Sequence, residues 1–337
     1  MDLMERLAVI LGAACALQLA GCSRESGVSG GGPRLTPVTL QANWYAEAEF
    51  GGYYEALAKG YFREENLDVR IIQGGPGAYP VQKVATGRVQ FALARSDDLI
   101  MAAQQNIPVL IVAAQLEHDP QVIIVHAESP VRGFADLDRK SIMAEPGSAW
   151  ISFLEQKYSI HINTIPENYD IGRFLADKSF IQQGFLTSEP FVFDQLKVPT
   201  RSMLIADSGY DPYRVLFCSR EFAHSNPDVV RGFVRASIRG WRDCLSLDPS
   251  PANELITRDH SECTPAVLAY SWAELRRAHI VDGDAAKGER LGLITRRRLE
   301  SQVAILRRLG LLSGDIAVGQ FASFDYLPAD LQALARQ

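Results

Sequence analysis

The sequence is poor in cysteine and histidine, with five and six in 337 residues, and it contains no C-x-x-C. The three cysteines beyond the N-terminal segment, Cys218, Cys244 and Cys263, are spaced by 26 and 19 residues. That matches no zinc-ligand pattern, so no metal is expected. Positive charge is also short: 34 Lys and Arg stand against 40 Asp and Glu, a net charge of −6. A protein that binds nucleic acid through its charge carries the opposite balance, so no nucleic-acid partner is expected. What is abundant is apolar residue, 47% against 22% charged. This is the composition of a packed globular chain, and its length favours two lobes over one core.

An apolar run at residues 7–20 falls short of the about 20 residues that a bilayer-spanning helix needs. It ends in Leu19-Ala20-Gly21-Cys22, which resembles the lipobox of bacterial lipoproteins. That resemblance implies a signal peptide over 1–21, acylation of Cys22 and a membrane-anchored chain on the periplasmic side of the envelope. Residues 22–33 are rich in Gly and Ser and read as a flexible tether. Export permits a disulfide, with Cys244 and Cys263 the favoured pair, or three buried thiols.

From residue 38 onward, β-rich runs and helical periodicity alternate. Residues 38–42, 68–72, 89–94 and 109–114 read as strands, the last an unbroken apolar run. Helices are expected over 50–63, 81–86 and 97–105. This order predicts an α/β fold in which mostly parallel sheets carry helices on both faces. Such sheets bind ligands at the carboxyl ends of their strands. The residues there are Asn43, Trp44 and Tyr45 after the first strand and Gly75 after the second. Arg95, Ser96 and Asp97 follow the third, and Gln115 ends the fourth. Aromatic faces, amides and glycines suit a small planar or polar solute, though the same residues also make ordinary turns. A second stretch repeats the pattern: Ser148 opens a helix that holds Trp150, Glu189 follows an apolar run, and Tyr210 and Asp211 follow another. Ser148 is placed either to bind an anion or simply to cap its helix. Glu189 precedes a proline and is placed either in a site or as a cap.

The segment FGGYYEALAKGYFREENLDV at 50–69 resembles a signature of ABC-transporter solute-binding proteins for thiamine-pyrimidine precursors, nitrate, taurine and alkanesulfonates. Further matches are Gly74-Gly75, Asp136-Leu137 with Lys140, Ser188-Glu189-Pro190 and residues 227–241. In departure from the pattern, Asn66 and Arg139 stand where the family prefers Gly, and Gln182 where it often has Asp. The resemblance implies a two-lobed type II periplasmic-binding-protein fold. Lobe one is expected over 34–128 plus 216–337 and lobe two over 129–215. It also implies a monomer without enzymatic activity or cofactor that delivers its ligand to ABC permease and ATPase subunits. Two ligand classes remain. A sulfonate or nitrate would use Ser96, Ser148, Arg95 and Arg173. A planar nitrogen heterocycle of the thiamine-precursor type would use Trp44, Tyr45, Glu189, Tyr210 and Asp211, with Trp150. The acidic and aromatic set is the larger, and a buried carboxylate repels an anion, so the heterocycle is the expected ligand. Some relatives of this fold are pyridoxal-phosphate-dependent pyrimidine synthases with a cysteine-rich iron motif. That motif is absent here.

Overall fold

The structure, a computed structural model, describes residues 35–337; the expected signal peptide, Cys22 and tether lie outside the described residues. Ten strands form two five-stranded sheets. The first contains β1 (Thr36–Gln41), β2 (Leu67–Ile72), β3 (Phe91–Arg95), β4 (Val109–Leu116) and β10 (Arg214–Ser219). The second contains β5 (Gln121–His126), β6 (Ser141–Ala144), β7 (Asn163–Pro166), β8 (Ile181–Phe185) and β9 (Thr200–Leu204). Their orders are β2-β1-β3-β10-β4 and β7-β6-β8-β5-β9. In each sheet four strands share one direction, and one internal strand, β10 or β5, runs antiparallel to both of its neighbours. The two-lobed α/β fold is as expected, and each sheet is mixed because one strand has crossed from the other half of the chain.

The boundaries between lobes need correction. Residues 121–126 were expected in lobe one, but Ile123 pairs with Gln183 and Met203 in the second sheet. The chain therefore leaves the first sheet after Leu116 and crosses at 117–120. It returns before Arg214, which already pairs with Arg95. The reason lies in hydropathy: β4 and β5 are both fully buried apolar strands, and periodicity cannot say which sheet such a strand joins.

The signature at 50–69 is a packing device. The helix Gly51–Ala58 lies so close to the long helix Pro227–Ser246 that a Cβ on Gly240 would sit 2.0 Å from the Gly52 carbonyl oxygen. A Cβ on Gly52 would in turn strike Trp241. Glycine permits this approach because nothing projects from its Cα. The single helix expected over 50–63 is broken at Gly60, whose φ is 75°. Asn66 and Arg139 have φ of 61° and 57°, so both occupy left-handed positions that a glycine would fill without strain. Cys218, Cys244 and Cys263 are buried and free, so the disulfide alternative is set aside.

Candidate functional site

Loops at the carboxyl ends of the strands of the two sheets meet across a seam. The loop after β1 is braced from below. Gly74 N donates to the Trp44 carbonyl at 2.8 Å, and a Cβ on Gly74 would lie 2.3 Å from the Asn43 carbonyl carbon. Gly75 has φ 125°, and a Cβ there would meet the Tyr45 ring at 2.9 Å. The Gln73 amide accepts from Ala46 N at 3.0 Å and donates to the Asp259 carbonyl at 2.6 Å. These contacts hold the backbone of Asn43, Trp44 and Tyr45 at the seam.

From the other lobe, Tyr169 in the connection after β7 meets Trp44 with ring centroids 4.9 Å apart and planes at 42°. Tyr45 packs edge-on to Trp44 at 5.2 Å and lies 5.3 Å from His260. A group of carboxyls is also drawn together at the seam from both lobes, among them Glu47, three residues after Trp44, and Glu167, two before Tyr169. Thr187 donates its hydroxyl to Glu49, and Gln115 donates to the Glu49 carbonyl at 2.7 Å. Glu189 accepts from Phe185 N at 2.7 Å and from the Ser188 hydroxyl at 2.6 Å. Burial, then Glu49 and Glu189, pushes the Glu47 carboxyl well above the ordinary carboxylate range. Burial also raises Glu49, against the opposing Thr187 hydrogen bond, and it raises Glu189. Glu167 is raised by burial, with Glu189 and Glu145 adding to the effect. Burial and then Glu47 and Glu49 push the Cys263 thiol up to about 12. The seam is therefore acidic and aromatic, and carboxyls with raised pKa values can either accept or donate a hydrogen bond there.

Several expected site residues are committed elsewhere. Ser96 is fully buried and donates to the Gln302 side chain at 2.6 Å. Asp97 accepts from the Tyr210 hydroxyl at 2.5 Å. Asp211 accepts from Arg298 at 2.9 Å and bonds His118 at 2.6 Å, away from Glu189. Trp150 is 1% exposed and belongs to the core, leaving no free face for stacking. Arg95 is held by Asp97, Asp98 and Glu145, the last at 3.2 Å across the seam. Arg173 stacks on Phe180 at 4.5 Å and is exposed. Ser148 is the exception: it does not cap with its side chain, and its buried hydroxyl has no hydrogen-bond partner among the described residues. The structure thus brings together Asn43, Trp44, Tyr45, Gly75, Gln115 and Glu189, and adds Glu47, Glu49, Tyr169 and His260. Glu47 and Glu49 had a visible signal, since two acids follow the aromatic pair at the same strand end. Tyr169 had none: it is a lone tyrosine in a polar loop, brought in by the fold.

Two lobes joined by two crossings, with facing loops at the strand ends, define a type II periplasmic-binding-protein fold. Residues 47–251 match the NMT1/THI5-like family model, and the chain belongs to that family. The chain is 25% identical to the riboflavin-binding protein RibY of Chloroflexus aurantiacus over 88% of this chain and 87% of that one. It is 31% identical to the formylaminopyrimidine-binding protein of Halalkalibacterium halodurans over 121 residues, 36% of each chain. Among solved structures, the alkanesulfonate-binding protein SsuA of Xanthomonas axonopodis pv. citri bound to MOPS superposes with a TM-score of 0.64 at 14% identity. That superposition covers 86% of this chain and 98% of that one.

Proposed function

We propose that this protein is a non-enzymatic solute-binding component of an ABC importer and captures a small planar nitrogen heterocycle of the thiamine-pyrimidine-precursor type between its lobes. The observation that carries this reading is the facing of Trp44 and Tyr169 across a seam where carboxyls of Glu47, Glu49 and Glu189 also come together from both lobes. A ring inserted between two aromatic faces needs about 7 Å, twice the contact distance between carbon atoms. The lobes therefore part to admit the ligand and close on it about the crossings. The carboxyls then bond the exocyclic amine and ring nitrogens. The similarity to the formylaminopyrimidine-binding protein supports this ligand class. A sulfonate or nitrate fits less well, because Arg95 is already balanced by three carboxylates. The closed form is the one offered to permease and ATPase subunits, since a ligand shifts the balance of states only through its differential affinity. In this reading the monomer stands on the periplasmic side of the membrane, held by lipid on Cys22.

A second ligand, riboflavin, is favoured by the similarity to RibY across 88% of the chain. Its ring system is also a flat nitrogen heterocycle. The test is titration calorimetry on the chain lacking residues 1–22, with aminomethyl- and hydroxymethyl-pyrimidines, riboflavin, taurine and nitrate. Binding of a pyrimidine alone supports the first reading, and binding of riboflavin alone selects the second. Binding of taurine or nitrate without either heterocycle overturns both.

A further inference from the structure

The two crossings between the lobes are fastened by a group of side chains that the ligand site does not use. His118 stands in the first crossing and Asp211 in the second. His118 Nδ1 lies 2.6 Å from Asp211 Oδ2, and Nε2 lies 3.2 Å from Glu289 Oε2. Both ring nitrogens thus face carboxylate oxygens, which only accept. A neutral imidazole has one N–H, so only the imidazolium donates to both partners. The same carboxylates also take bonds from other donors. Arg298 donates to Asp211 Oδ2 at 2.9 Å, Asp119 N donates to Asp211 Oδ1 at 3.0 Å, and Asp284 N donates to Glu289 Oε2 at 2.7 Å.

The charges around His118 are predominantly negative. Asp211 faces it from the second crossing and Glu289 from the connection that precedes the helix Arg296–Arg308, while Asp119 adjoins it in the first crossing. Burial pushes the adjacent Glu117 carboxyl well above the ordinary carboxylate range despite Arg298, with Glu289, Asp211 and Asp282 adding to the effect. The opposing cations are Arg298, which reaches Glu117 at 3.5 Å, and Arg214, which reaches Asp119 at 3.1 Å. Removing the proton from His118 leaves this excess of carboxylates uncompensated next to the crossings. His118, Asp211 and Glu289 are each about one-fifth exposed, so the proton exchanges with solvent. A cavity of about 140 Å³ lined by Asp211, Pro212, Arg298 and Gln302 adjoins the group and gives its side chains room to move.

We propose that His118 is a proton-operated clasp on the hinge: as imidazolium it ties the two crossings to Glu289 and favours the closed arrangement, and its deprotonation frees the hinge to open. Burial alone lowers the pKa of His118, but the Asp211 hydrogen bond and the Asp211 and Glu289 charges outweigh it and raise it above the ordinary value. The clasp is therefore complete below about pH 6.5, the free-histidine value. It is lost as pH rises through the higher folded value.

The test needs no ligand. In the full chain, nitrogen-15 labelling of histidine and nuclear magnetic resonance follow the protonation of His118, assigned by its loss in His118→Gln. With Cys15 and Cys22 replaced by Ser, spin labels on Lys178→Cys in lobe two and Asp228→Cys in lobe one report the distance between lobes; the three buried native thiols, Cys218, Cys244 and Cys263, are not labelled. The expected result is a His118 midpoint above about 6.5 and a change in inter-lobe distance at the same pH. Glu289→Gln should lower both midpoints together, and His118→Gln should abolish the distance step. If His118→Gln does not fold, Glu289→Gln carries the test alone. An inter-lobe distance constant from pH 5 to 9, or a step that Glu289→Gln leaves unmoved, overturns the proposal.

Discussion

Trp44 of the first lobe and Tyr169 of the second face each other at 4.9 Å across the seam, joining residues 125 positions apart. Neither ring is fully buried, and Tyr169 is 58% exposed. The pair therefore contributes little to folding, and its loss should register in ligand capture.

Tyr169→Ala and Trp44→Ala are each expected to weaken heterocycle binding. A well-placed aromatic pair is worth about 0.5–1.5 kcal/mol beyond area burial, roughly 2- to 12-fold in affinity. Calorimetry measures the loss, and the Tyr169 variant should melt as the parent does. Unchanged affinity in both variants would remove the sandwich from the mechanism.

The desolvated carboxyls of the seam set a pH dependence of known sign. Glu47, Glu49 and Glu189 have folded pKa values raised by burial, so at intermediate pH the folded state holds protons that the unfolded state has released. Stability from these groups is present below the unfolded value of about 4.3 and is lost as pH rises through the folded values. Glu47→Gln cannot ionise, and its melting temperature should exceed that of the parent at pH 7 and converge with it near pH 4. A constant difference across that range would show that Glu47 is not desolvated.

The approach of the two helices at Gly52 and Gly240 leaves no room for a methyl group. Gly240→Ala places Cβ 2.0 Å from the Gly52 carbonyl oxygen, and overpacking of this kind costs about 1–3 kcal/mol. Gly60→Ala meets nothing within 4 Å but sits at φ 75°, where the cost is the backbone strain of about 1–2 kcal/mol. Urea denaturation of both variants measures the two costs, and a Gly240→Ala protein as stable as the parent would show that the helices part to admit the methyl group.

Cys218, Cys244 and Cys263 are buried free thiols. Burial raises all three above the usual thiol range, which suppresses the reactive thiolate. A thiol reagent should modify none of them in the native protein and all three in urea. Two unreactive thiols after denaturation without reductant would reveal a Cys244–Cys263 bond. At the other end of the chain, Cys22→Ala should release the protein from membranes, and retained association would refute lipidation there.

The sequence by itself determined the alternation of strands and helices, because burial on two faces leaves continuous apolar runs that periodicity detects. It also marked Trp44, Tyr45, Gly75 and Glu189, since strand ends and Gly-rich turns have local signatures. Only the tertiary structure decided that β5 belongs to the second sheet, because a buried strand carries no record of its neighbours. The same holds for function at the seam. Asp97, Tyr210 and Asp211 have the right chemistry for a ligand, but they are bonded to one another or to the hinge. Glu47, Glu49 and Tyr169 enter the candidate site only when the lobes meet. Side-chain type is local, whereas desolvation and the partner across a seam are fixed by long-range packing, and those two quantities turn an ordinary glutamate or tyrosine into part of a site.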